Sequence, residues 1–64
     1  MNWIATLSKE IHVDPMGTKL EALRQAKKLG FDFVGMTDEQ KAIVAQRVRE
    51  TIAAIRTTAK RRAK

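Results

Sequence analysis

The chain has no cysteine and no tyrosine, and only one proline, one histidine and one tryptophan. Without cysteine, neither a disulfide framework nor a thiolate zinc site can form. His12 has no second histidine or carboxylate at ligand spacing, so no metal site is expected and His12 reads as a capping or surface residue at a helix end. Ser8 lacks a histidine-plus-acid constellation. Asp38 and Glu39 are adjacent, which on a helix sets them about 100° apart, so they do not converge as an acid–base pair. Gly17, Gly30 and Gly35 fit neither phosphate-loop pattern. The expectation is a non-enzymatic protein with no cofactor, no metal and no small-molecule substrate.

Long apolar runs are absent too. No stretch approaches the roughly 18 apolar residues of a membrane span. The start, MNWIATLSKEI, lacks the basic region and cleavage pattern of a secretory signal, so a cytoplasmic protein is expected. Aromatics are confined to Trp3, Phe31 and Phe33.

Acidic residues are scarce in a directional way. Lys and Arg number 13 against 7 Asp and Glu, a formal net charge of +6. Residues 1–32 carry five basic and four acidic side chains; residues 33–64 carry eight and three. From Thr51 onward there are five basic residues and no acidic one. An asymmetry of this kind suggests an anionic partner: nucleic acid, an acidic protein surface or a membrane surface. The plain alternative is a solvated, solubilising tail.

The 64 residues suffice for one domain, 1–64, with a small core. Apolar residues make up 44%, which argues against wholesale disorder. The pattern predicts an all-α, small three-helix bundle with short first and second helices and a long C-terminal third. The first helix, about residues 2–11, places Trp3, Ile4, Leu7 and Ile11 within about 100° of arc. Asp14-Pro15 then signals a turn or helix start, and Thr18 with Glu21 offers a competing capping-box pattern. In the second helix, about 15–29, Leu20, Ala22, Leu23, Ala26 and Leu29 share one half of the wheel, with Arg24, Gln25 and Lys28 opposite. Gly30 supplies a left-handed cap, with Phe31 placed for the apolar contact that accompanies it.

The connection FDFVGM is unusually apolar. Phe31, Phe33, Val34 and Met36 are each worth about 1.5–3 kcal/mol if fully buried, so they are expected to plug the core rather than form an exposed patch. The third helix, about 38–62, opens on a capping box, with Thr37 at the cap and Gln40 reciprocal. Ala45, Val48, Ile52, Ile55 and Ala59 recur at spacings of three and four, widened by Ile43 and Val44. Packing against the other two helices is the first expectation; a homodimer through Ala45, Val48, Ile52 and Ile55 is the second. Because the third helix outlasts its partners, residues from about Ile55 on are expected to project beyond the bundle or fray.

Two function classes follow. In the first, Arg47, Arg49, Arg56, Lys60, Arg61, Arg62 and Lys64 contact the phosphates of a nucleic acid or nucleoprotein complex, or an acidic protein surface, without strong sequence readout. A helix-turn-helix is disfavoured. Its turn takes three to four residues, whereas Gly30 through Met36 is seven, and the third helix begins with acids that would repel phosphate. No aromatics stand in the basic region to stack bases. A membrane-surface helix ranks below both classes, since the third helix offers only Val, Ile and Ala on its apolar face. In the second class the chain is a protein–protein module: an inhibitor, adaptor, regulatory or accessory subunit of a larger assembly, such as a viral or mobile-element one. It would dock through Trp3, Ile4, Leu7, Phe31 and Phe33.

Overall fold

The computed structural model describes residues 3–62, with side chains for residues 3–58. Three α-helices run in order: α1, Trp3–Ile11; α2, Pro15–Leu29; and α3, Asp38–Arg62. The fold is a small all-α bundle, with two short helices and one long one. α3 packs more extensively on α2 than on α1.

Local chemistry explains the helix ends. α1 stops where His12 enters the left-handed region at φ 56°, and the Val13 N–H donates back to the Ser8 carbonyl at 3.1 Å. Asp14 starts α2: its Oδ1 accepts from the Gly17 N–H at 2.8 Å, with Pro15 behind it. A Cβ on Gly17 would lie 2.7 Å from that Oδ1, so a larger residue there would oblige the Asp14 carboxylate to shift. The competing cap is thereby settled. Thr18 lies inside α2, buried, its hydroxyl donating to the Asp14 carbonyl at 3.0 Å. α2 ends at Gly30, φ 78°, where the Phe31 and Gly30 N–H groups donate to the carbonyls of Ala26 and Lys27, a Schellman cap. α3 opens on the reciprocal box: Gln40 N–H to Thr37 Oγ1 at 3.2 Å, and Thr37 N–H to Gln40 Oε1 at 3.0 Å.

Ile4, Leu7 and Ile11 of α1, Ala22 and Ala26 of α2, Met36 of the connection, and Val44, Ala45 and Val48 of α3 form the core. Trp3, Val13, Leu29, Phe31, Phe33 and Ile52 close its margins. The apolar connection is thus only partly a plug: Met36 is buried, the two phenylalanines are half-buried, and Val34 is exposed.

α2 is rotated from the expected orientation. Gln25 is 4% exposed, while Leu20 is 58% exposed. The buried face carries Thr18, Ala22, Gln25 and Ala26. Thr18, Ala22 and Ala26 along that line let α2 approach its neighbours closely; leucines at those positions would hold the helices apart. Burying Gln25 is tolerable because its amide is satisfied. Its Nε2 donates to Glu21 Oε2 at 2.7 Å and to Thr51 Oγ1 at 3.2 Å, and its Oε1 accepts from Arg47 Nε at 3.2 Å. In α3, Ile43 likewise faces solvent and does not widen the core stripe.

Candidate partner-binding surfaces

The three described arginines of the expected phosphate-binding set all hold partners within the chain. Arg47 reaches α2 through Gln25. Arg49 sets its fork on the Glu10 carboxylate of α1, Nη2 donating to Oε1 at 3.1 Å and Nε to Oε2. Arg56 Nη2 donates to the carbonyls of Ile11 and His12, the latter at 3.3 Å. Those carbonyls close the C-terminal end of α1, where a cation complements the helix dipole. Arg49 and Arg56 therefore lie together on the α1 side of α3, and Arg47 lies apart on the α2 side. The side chains of Lys60, Arg61 and Arg62, and all of Lys64, fall outside the described residues.

The Glu10–Arg49 pair shifts both members. The hydrogen bonds from Arg49, aided by its charge and opposed by slight desolvation, hold the Glu10 carboxyl below the usual carboxylate range. The same hydrogen bonds raise the Arg49 guanidinium.

Beyond Ile52, α3 reaches past the core, and Arg56 ties it back to the end of α1. Every side chain from Ala53 to Thr58 is exposed. The hydroxyls of Thr57 and Thr58 donate to carbonyls one turn back, at 2.9 and 3.0 Å. The overall extents of 43 × 23 × 17 Å reflect this long helix.

The expected docking surface divides on folding. Ile4 and Leu7 are buried in the core, so they belong to the packing and not to a surface. Trp3, Phe31 and Phe33 remain half-buried. The Trp3 and Phe33 rings lie 6.0 Å apart at a 39° tilt. They border a hollow of about 370 Å³ lined also by Ile4, Pro15, Met16 and Lys19. A second hollow, about 380 Å³, runs between α1 and α3 beside Trp3, Lys41 and the Glu10–Arg49 pair. The α3 dimer seam is not intact either: Ala45 and Val48 are consumed by the bundle, and of the four only Ile52 and Ile55 retain accessible surface.

Sequence reasoning missed the outward face of α2. Met16, Leu20 and Leu23 are exposed, and they follow one another at i, i+4 and i+7. That spacing is visible in the sequence, but hydrophobicity alone assigns the leucines to an inward stripe.

Among the described residues, no group of three or more His, Asp or Glu side chains could hold a metal ion, and no helix is long and apolar enough to cross a membrane. No family model matches the chain, and no curated protein or solved structure matches it.

Proposed function

We propose that this is a small non-enzymatic binding protein whose α3 end contacts phosphates of a nucleic acid or nucleoprotein complex, without strong sequence readout. The supporting observation is the projection of α3. Ala53–Thr58 are exposed, with Arg56 reaching back to the end of α1, on a helix that leads into the basic run KRRAK. A helix end that reaches past the core can lie along a phosphate backbone without steric conflict from α1 or α2. Phosphate contacts of this kind position a protein but read no bases. Arg47, Arg49 and Arg56, each engaged within the chain, act mainly as braces in this reading.

The test is binding to duplex DNA, single-stranded DNA and RNA across a salt series. Log affinity should fall linearly with log salt. Replacing Lys60, Arg61 and Arg62 by Ala should flatten the slope by about one unit for each phosphate no longer neutralised. Binding that ignores both salt and these substitutions overturns the reading.

A second reading, a protein–protein module, is favoured by a separate observation: the aromatic hollow beside Trp3 and Phe33 adjoins the apolar groups that α2 turns outward.

A further inference from the structure

We infer that the outward face of α2, with the adjoining Trp3–Phe33 hollow, docks an acidic amphipathic helix of another protein. The inference is independent of phosphate binding by α3. It rests on the protein–protein reading and specifies its partner.

Three observations carry it. First, Met16, Leu20 and Leu23 form one ridge over two turns of a helix whose opposite face is already buried, with Met16 72% and Leu23 37% exposed. Scattered exposed leucines need no explanation, but an aligned set on a second helix face does. Second, the ridge ends at a recess. Met16 is shared with the hollow walled by Trp3, Pro15 and Phe33. A ridge beside an aromatic recess suits a helix that lies along the ridge and inserts one large apolar side chain. A lipid surface would be met better by a continuous convex face.

Third, the border of the ridge has one sign. Lys19 and Lys27 stand three and four residues from Met16 and Leu23, and Arg24 stands four from Leu20. All three are exposed. Among the described residues no carboxylate pairs with Lys19 or Lys27, and Arg24 has only Glu21 at 3.8 Å. A second copy of this chain would bring the same cations against each other, on molecules that each carry +6. A helix with carboxylates bordering its apolar stripe meets the ridge and the charges together.

The experiment is selection of binders from a displayed library of random helical peptides on the immobilised protein. Site mapping would follow, using amide shifts and fluorescence of the lone Trp3. Enriched peptides should carry net negative charge and an apolar i, i+3/i+4, i+7 stripe. They should shift Met16, Leu20, Leu23 and Lys27, and lose at least about tenfold in affinity against Leu20→Glu. Lys27→Glu should weaken them comparably, while Lys9→Glu, on α1, should not. Circular dichroism of each variant keeps loss of binding apart from loss of fold.

Neutral or basic peptides enriched at the same face overturn the acidic partner but leave a protein–protein module standing. No peptide mapping to that face overturns both. Tighter binding to anionic phospholipid vesicles than to any peptide, abolished by Leu20→Glu, assigns the face to membrane and overturns the inference. So does concentration-dependent dimerisation that this substitution removes.

Discussion

The fork of Arg49 in α3 closes on the carboxylate of Glu10 in α1, with Nη2 to Oε1 at 3.1 Å. The two residues are 39 apart in sequence, and their pairing fixes the last turn of α1 to the middle of α3. It also takes one cation out of the positive field that the sequence alone would assign to α3.

This pair makes stability depend on acid. Glu10 has a lowered folded pKa, so in the acid range the unfolded chain binds the extra proton. The pair's contribution is complete above the ordinary carboxylate value of 4.5 and is lost as pH falls through the lowered folded value. Both groups are substantially exposed, so salt should weaken the effect. Urea midpoints at about pH 7 and about pH 3, in low and high salt, check this for the parent and for Glu10→Gln. Identical acid sensitivity in the two proteins would show that the pair contributes nothing.

Arg56 should hold the end of α1. Replacing it with Ala removes the donor to the Ile11 and His12 carbonyls and should cost about 0.5–1 kcal/mol, the usual scale for a cation at a helix C-terminus. Amide exchange should accelerate in α1 more than in α2. Uniform acceleration would mean that Arg56 has no local role.

His12 occupies a backbone conformation that suits glycine, at φ 56°. His12→Gly should raise stability by about 0.5–1 kcal/mol, and His12→Val should lower it, because a β-branched residue fits the left-handed region worst. Thermal melts of the two variants decide the sign.

The rotation of α2 makes an unusual ranking. Gln25→Ala should destabilise by about 1–2 kcal/mol, since it opens a gap in the α2–α3 interface and breaks the links to Thr51 and Arg47. Leu20→Gln should change stability by no more than about 0.5 kcal/mol. The reverse order, read from denaturation midpoints, would place the leucine inside and the glutamine outside.

Signals that act over a few residues were legible in the sequence. The Thr37–Gln40 box, the Gly30 cap and the period of α1 each depend on neighbours within one or two turns, so the residues themselves specify them. The wheel of α2 was not legible, because hydrophobicity alone ranks leucine above glutamine for burial. Which face turns inward depended on side-chain size and on whether a buried amide finds three partners. The candidate surfaces followed the same division. The basic character of α3 could be read directly, but the engagement of Arg47, Arg49 and Arg56 by Gln25, Glu10 and the end of α1 could not.

By itself, then, the sequence determined three helices, most of their ends, a cysteine-free core and a basic C-terminal run, while the start of α2 stayed open between Asp14 and Thr18. Local hydrogen bonding and apolar periodicity suffice for these. The tertiary structure decided which charges are braced within the bundle, that Ile4 and Leu7 are core, and that Met16, Leu20 and Leu23 face outward. Those outcomes depend on contacts between residues far apart in the chain, where close helix approach and satisfied polar groups outweigh the hydrophobicity of single side chains.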